Sequence, residues 1–445
     1  MINALTTDLY QLTMAAGYWR AGLTEPATFE LFVRRMPQRR AFLVAAGLEN
    51  GLAYLEALRF TDEERGWLRQ LPQFAHVPSA FFDDYLRSFS FTGSVSALPE
   101  GTPFFPGEPI LRVTAPLPEA QLVETALLAT VAFATNVASK AARVVRAAAG
   151  RPVIEFGARR AHGVGAALAA ARAAFIGGCD GTSLVDAGRR YGIPTSGTMA
   201  HSWVQTFADE IDAFREFSQS FPDSAAYLLD TYDTLAATDK LIASGLKPAM
   251  VRLDSGEVIS LSREVRARLD SAGLTATRIF ATGDLDEYRI ATIVAAQAPI
   301  DGFGVGTALS TVNDAPALSA VYKLVEVHRH GASTGVIKQS PGKHTWPCPK
   351  QVWRIVENGR ATRDVIAGIG EPAPSGGVAL LHTVMERGRT IAPSPSATVS
   401  RDESRRALAL LPERLRALDA AADFPVSITE SLEQARLTAS RYDQT

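Results

Sequence analysis

Cysteine is nearly missing from this chain of 445 residues, which holds only Cys179 and Cys348. The two lie far apart and fit no metal-ligand spacing. That excludes a disulfide framework and matches the cysteine usage of a reducing compartment. An excess of charge of one sign is missing too: Lys and Arg number 45 against 47 Asp and Glu, a net charge of -2. No global positive field therefore recruits nucleic acid or an anionic membrane, and any bound anion must be met by local cations. Long apolar runs are absent as well. The longest uncharged apolar stretch, Thr125 to Ser139, falls short of the roughly 20 residues a bilayer requires. The opening residues MINALTTDLYQLTMAAGYWRAG carry Asp8 early and lack the basic flank and apolar run of a signal peptide. A cytoplasmic protein is expected. Histidine is sparse, at 7 residues, and His201 has no second His or Cys at metal-ligand spacing. No G-x-S-x-G elbow is present, which removes the serine-hydrolase reading.

What is present is a hydrophobic content of 47%, ample for a sizeable core and for two or three domains. From Arg151 to about Ser310, the apolar runs PVIEFGARR, AAFIGGCDGTS, GIPTSGTMAH, AMVRLDSGE, RIFATGDLDEY and IDGFGVGTALS each end in glycine or a polar cluster. Helix-like sequence follows most of them, so parallel pairing is expected. An α/β architecture follows. A β/α barrel with its site at the C-terminal strand ends fits this alternation, as does a doubly wound open sheet. Between His201 and Gly245 the sequence reads as an amphipathic helical insertion. The expected domains are an N-terminal α+β sheet domain over 1–118, the barrel over 119–320, strands returning to the N-terminal sheet over 321–375, and a helical C-terminal region over 376–445. In the first of these, Phe29, Leu31 and Val33 alternate as one face of a strand. The alanine-rich run Glu119–Ala149 is expected to be helical.

The strand ends carry the candidate chemistry. In DGFGVGT, backbone N–H groups at Gly304, Gly306 and Thr307 could cradle a phosphate, or the segment could be a tight turn with a cap. Asp284 could hold ribose hydroxyls, yet Asp284 and Glu287 also have capping-pair spacing. In VRLDSGE, alternation sends Arg252 and Asp254 to one side, where the guanidinium favours the ionised carboxylate, and Ser255 follows. Phe156 could stack on a flat ring while Arg159 takes a carboxylate or phosphate, although core packing is the usual fate of a Phe. Ser183 offers a polar contact, or caps a helix with Asp186. Lysine is concentrated at Lys323, Lys338, Lys343 and Lys350, which suits a polyanionic ligand or a solvated strand face. His201 follows the small-residue segment SGTMA and could serve as a core residue, a general base or a nucleophile. These residues together reach a phosphate-bearing, flat-ring ligand, without fixing a reaction.

Taken in order over roughly residues 5 to 355, TTDLYQLTMA, FELFVRR, EFGARRAHG, GTSLVDAGRRYGIPTSGTMAHSW, VRLDSGE, ATGDLDEY, DGFGVGT and YKLVE resemble the nicotinate phosphoribosyltransferase family. The resemblance implies an irregular β/α barrel of the type II phosphoribosyltransferase kind, in a homodimer whose sites are completed across the interface. It implies ATP-stimulated transfer of phosphoribosyl from phosphoribosyl pyrophosphate to nicotinate with Mg²⁺, giving nicotinate mononucleotide and pyrophosphate for NAD synthesis. His201 then matches the histidine that takes a phosphoryl group from ATP. Phe156 matches the residue on one face of nicotinate, and Tyr10 the residue that the other subunit supplies to the opposite face. Arg252 and Ser183 would meet the carboxylate, and Asp254 and Asp284 the ribose hydroxyls. Gly304, Gly306 and Thr307 would receive the 5′-phosphate, with Ser255 and Gly283 on the adjoining binding loops. Arg34, Arg159, Lys338 and Lys343 match anion contacts, with Arg34 and the lysines reaching from the other subunit. The metal ligands are not identified.

The related nicotinamide enzyme resembles GTD where this chain has GTS. A carboxylate there would accept from an amide and repel nicotinate, whereas Ser183 can donate to a carboxylate. Nicotinamide phosphoribosyltransferase and a non-catalytic nucleotide-binding barrel are the alternatives. A quinolinate enzyme would need more cations and no ATP. Beyond about Ser375 no motif matches.

Overall fold

A computed structural model describes residues 3–329, 331–340, 345–419 and 423–442. The chain divides into two units, one formed by Met1–Asn136 with Ala317–Thr445 and the other by Val137–Pro316. The division falls inside the helix Glu124–Ala147, not at residue 118. That alanine-rich stretch has no Gly or Pro to break it.

In the first unit, Pro26–Val33 is a central strand of a seven-stranded sheet, flanked by Pro109–Pro116 and Ala320–Arg329, both antiparallel. Phe29, Leu31 and Val33 are buried on one face, as alternation requires. Thr28 and Glu30 on the other face are buried too. Glu30 is accommodated by the Lys350 ammonium at 2.8 Å and the Lys350 amide at 2.8 Å. A second, four-stranded sheet holds Lys350–Glu357, Arg360–Gly368, Gly377–Ala379 and Val426–Ile428. Its hairpin turns on Asn358-Gly359, both at positive φ, the two-residue turn that suits the twist of paired strands. The C-terminal region is thus not helical throughout. It adds strands 377–379, 382–386, 389–390 and 426–428 to the helices Ala397–Leu410, Glu413–Arg416 and Glu430–Tyr442.

The second unit is built on six parallel strands: β1 Val153–Glu155, β2 Gly181–Thr182, β3 Ala226–Leu228, β4 Met250–Leu253, β5 Arg278–Ala281 and β6 Gly302–Val305. Their spatial order is β2-β1-β6-β5-β4-β3. This follows the chain around a cycle, but the hydrogen-bonded ladder stays open between β2 and β3 among the described residues. A lone bridge from Thr182 to Thr195 is the only pairing that extends β2 on that side.

Two of the six expected strands differ. AAFI ends the helix Val164–Ile176, because an unbroken alanine-rich run carries it past the point where a strand was expected. GIPTSG contributes only the bridge at Thr195. The sixth strand, Ala226–Leu228, lies inside the segment expected to be helical, where all three residues are buried. Among the described residues, no helix is long and apolar enough to cross a membrane. Neither Cys179 nor Cys348 is in a disulfide.

Candidate active site

Each parallel strand ends in a residue with chemical potential. Phe156 follows β1, Ser183 follows β2 and Asp254 follows β4, each by one residue. Asp230 lies two residues past β3, Gly283 two past β5, and Gly306 one past β6. Adjacent parallel strands bring their C-terminal ends to one edge of the sheet, so a regular ladder gathers residues distant in sequence.

The strongest contacts centre on Arg252 and Asp254. Arg252 Nη2 donates to Asp254 Oδ1 at 2.7 Å, and Nε donates to Thr282 Oγ1 at 2.9 Å. Nη1 donates to Thr198 Oγ1 at 2.9 Å and to the Met199 carbonyl at 3.4 Å. The guanidinium therefore ties the end of β4 to the SGTMA segment and leaves Nη2 one further N–H. Thr282 donates its hydroxyl hydrogen to Asp254 Oδ1. Burial pushes the Asp254 carboxyl up. The hydrogen bonds from Arg252 and Thr282, with the Arg252 and His201 charges, outweigh that and hold it below its ordinary value.

The SGTMA segment delivers His201 as the first residue of the short helix His201–Gln205. Its Nδ1 lies 3.1 Å from Thr231 Oγ1 and its Nε2 3.9 Å from Asp254 Oδ2. The ring is 40% exposed, so it is not a core residue. Among the described residues no group of three or more His, Cys, Asp or Glu could hold a metal ion.

Asp230 and Thr231 were not singled out by sequence. The Asp230 carboxylate accepts from the Asp254 amide at 3.2 Å and from the Ser255 hydroxyl through Oδ2, while its buried Oδ1 has no hydrogen-bond partner. The available signal was AAYLLD, an apolar run closed by an acid, as in MVRLD.

At Gly304 and Gly283 close approach requires glycine. A Cβ on Gly304 would lie 2.6 Å from the Phe156 ring, so the missing side chain lets that ring cross the end of β6. A Cβ on Gly283, which has φ +85°, would lie 1.9 Å from the Asp254 carbonyl oxygen. Asp284 follows it, exposed and also at positive φ. Asp284 does not cap the next helix. Asp286 does, accepting from the Tyr288 and Arg289 amides, while Glu287 is buried against Lys140 at 2.6 Å and Arg143 at 3.0 Å. Ser183 likewise caps nothing: Asp186 pairs with Arg189 and Arg190, and the Ser183 hydroxyl stays exposed. Thr307 opens the helix Thr307–Thr311 and is exposed. Arg159 sits exposed in the turn Ala158–Arg160.

The remaining expected contacts belong to the first unit. Tyr10 is half exposed, donates to Glu124 Oε2 at 3.1 Å, and has its phenol pushed up by burial and by the Glu124 charge. Arg34 lines a cavity of about 290 Å³ with Arg35, Trp346 and Lys350, and its Nε is buried without a partner. Lys338 is exposed, and its amide donates to Thr345 on the wall of the same cavity at 2.8 Å. Lys343 lies outside the described residues.

A parallel α/β sheet that gathers acids, a guanidinium and a glycine loop at the carboxyl ends of its strands has the form of a ligand-binding site. Comparison with known proteins narrows that class. Residues 5–132 match the nicotinate phosphoribosyltransferase N-terminal domain, and residues 152–350 match the nicotinate phosphoribosyltransferase family. A nicotinate phosphoribosyltransferase of Mycobacterium tuberculosis is 45% identical, over 98% of this chain and 94% of its own. One of Bacillus subtilis is 42% identical, over 82% and 76% respectively. The crystal structure of human nicotinic acid phosphoribosyltransferase superposes with a TM-score of 0.84 at 29% identity, over 97% of this chain and 99% of that one. The chain belongs to the nicotinate phosphoribosyltransferase family.

Proposed function

We infer that this chain forms nicotinate mononucleotide and pyrophosphate from nicotinate and phosphoribosyl pyrophosphate, with ATP as co-substrate, in the synthesis of NAD. The observation that carries the chemistry is the convergence of Phe156, Ser183, Asp230, Arg252, Asp254 and Gly306 at or beside the ends of one parallel sheet. The cyclic strand order supports reading that sheet as an irregular barrel.

In this reading Phe156 supports the pyridine ring, while Ser183 and the remaining Nη2 hydrogen of Arg252 donate to the carboxylate. Asp254 and Asp284 accept from ribose hydroxyls, and the loop from Gly304 to Thr307 receives the 5′-phosphate. The ring nitrogen of nicotinate is already a free nucleophile at neutral pH, so no acid–base dyad is needed. Cleavage of the ribose C1–pyrophosphate bond leaves positive charge on the sugar and negative charge on the leaving group. Arg34, Arg159, Lys338 and Lys343 are the cations assigned to the phosphates.

Mg²⁺ fits the residues present, because Asp230 offers a buried carboxylate oxygen without a partner and Asp254 lies beside it. These two would hold the ion, which would neutralise phosphate charge in the way that one or two carboxylates and substrate phosphates usually share it. His201 is assigned as the phosphoryl acceptor. One imidazole nitrogen attacks the γ-phosphorus of ATP as the bond to ADP breaks, and the Thr231 contact at Nδ1 fixes the ring's tautomer and orientation. A homodimer with shared sites is supported by exposed apolar side chains in both units. These are Leu9, Tyr10 and Met14 on the first helix, and Val164, Val185 and Tyr232 near the strand ends. The cytoplasm is the proposed compartment, consistent with two cysteines outside any disulfide.

The test is formation of mononucleotide from nicotinate and from nicotinamide, each with phosphoribosyl pyrophosphate and Mg²⁺, with and without ATP. Nicotinate is expected to be preferred and its conversion to rise with ATP. Higher kcat/KM for nicotinamide would overturn the assignment of Ser183, and no product from either base would leave a binding-only protein. His201→Ala is expected to lose ATP stimulation and ATP hydrolysis while transfer remains detectable. Unchanged ATP coupling would remove His201 from its role.

A further inference from the structure

Glu155, the last residue of β1, is only 1% exposed and touches neither Asp254 nor His201 in any described contact. A carboxylate is costly to bury unless its oxygens are matched by donors, and here each has one. Oε2 accepts from the Thr182 hydroxyl at 2.6 Å, and Oε1 accepts from the Gly157 amide. The Thr182 hydroxyl in turn accepts from the Leu184 amide at 3.0 Å, and the Glu155 carbonyl accepts from the Ser183 amide at 2.9 Å. Glu155 therefore grips the residue after Phe156 and the residue before Ser183 at once. Gly157 has no room for a side chain, since a Cβ there would lie 2.4 Å from Ser310 Cβ and 2.8 Å from Glu155 Oε1. The Phe156 amide is also pinned to the Val305 carbonyl at 2.8 Å.

We propose that Glu155 is a specificity-setting positioning residue: through Gly157 and Thr182 it fixes the gap between the Phe156 ring and the Ser183 hydroxyl. The proposal rests on the reading that these two side chains face the nicotinate ring and its carboxylate. A planar acid held between a ring and a hydroxyl tolerates little change in their separation, whereas the sugar and phosphates bind to other strand ends. Burial holds the Glu155 carboxyl above its ordinary value, against the downward pull of the Thr182 and Gly157 hydrogen bonds.

The experiment is steady-state kinetics on the full-length protein for Glu155→Gln, Thr182→Val and Thr182→Ser. Glutamine offers one acceptor where two donors converge, and valine deletes the hydroxyl from the other end. Both are expected to raise KM for nicotinate about 10-fold while kcat and KM for phosphoribosyl pyrophosphate stay within about twofold, a loss confined to one substrate's binding. Thr182→Ser, which keeps the hydroxyl, should return KM for nicotinate to near the parent value. Equal shifts in both KM values, or a lower melting temperature with KM for nicotinate unchanged, would overturn the proposal and leave Glu155 a fold residue. Phe156→Ala and Ser183→Ala separate the two levels. If both leave KM for nicotinate unchanged, the pocket reading itself fails and the proposal with it. If both raise it while Glu155→Gln does not, only the role of Glu155 falls.

Discussion

The two units use the same ion pairs in opposite settings. In the first unit, Arg354 grips Asp364 through Nε at 3.0 Å and Nη2 at 2.6 Å, with the two side chains 6% and 0% exposed. The guanidinium lies over the stacked rings of Phe105 and Phe424. In the second unit, the Arg252–Asp254 pair is as short, at 2.7 Å, but is 13% and 27% exposed and borders an orphaned Asp230 oxygen. A charge sealed among partners specifies the fold, whereas a charge left with open valence at a strand end is available to a ligand. The buried Lys140–Glu287 pair shows that the rule follows burial and not the unit, since it lies in the second unit, where Glu287 opens the helix that follows the Asp284 loop.

The sharpest way to break this distinction is to unpair each arginine–carboxylate site in turn. Arg354→Met leaves Asp364 buried without its cation. It should cost about 3–5 kcal/mol of stability, read from the shift in urea midpoint. A loss below about 1 kcal/mol would mean the pair does not specify the fold. Asp254→Asn is the complementary change. With the charge removed from a partly exposed carboxylate proposed to accept from the ribose, kcat/KM should fall by about 10²–10³ while the urea midpoint moves little. If Asp254→Asn unfolded the protein instead, burial would cease to separate structural from functional charge.

Much of the candidate site's placement was legible because an apolar run followed by a polar residue marks a parallel strand and its carboxyl end. PVIEF, AMVRLD and RIFATGD each placed their residues this way. AAYLLD carried the same signal in shorter form, but β3 has only three residues and lies between amphipathic helices, so periodicity assigned the whole stretch to helix. Capping spacing misled for a different reason. Ser183 with Asp186 and Asp284 with Glu287 satisfy the pattern, yet the positive φ at Gly283 and Asp284 delays the helix and makes Asp286 the cap. Local sequence lists who can cap, and the loop path decides who does. The pairing of Glu30 with Lys350 was beyond reach because nothing local connects residues 320 positions apart.

The smallest effect sharpens the contrast within the first unit itself. Glu108 is fully buried beside Asp364. Burial, then the Asp364 charge and a hydrogen bond to it, push its carboxyl well above the ordinary value. Arg354 and the Phe105 amide oppose this without winning. Glu108 therefore holds its proton to higher pH than a solvated carboxyl would. A group raised on folding contributes stability that is fully present below its unfolded pKa, about 4.3, and is lost as pH rises toward the folded value. Glu108→Gln keeps a donor toward Asp364 and an acceptor for the Phe105 amide at 2.9 Å, but it cannot titrate. The variant should match the parent near pH 4 and become progressively more stable than it as pH rises above about 4.3 toward the folded value. The advantage should grow by up to about 1.4 kcal/mol per pH unit, read as the difference in urea midpoint. A constant difference across that range would show that Glu108 folds ionised. The cluster would then be held by Arg354 serving two carboxylates, and the buried charges of the first unit would not be mutually compensated.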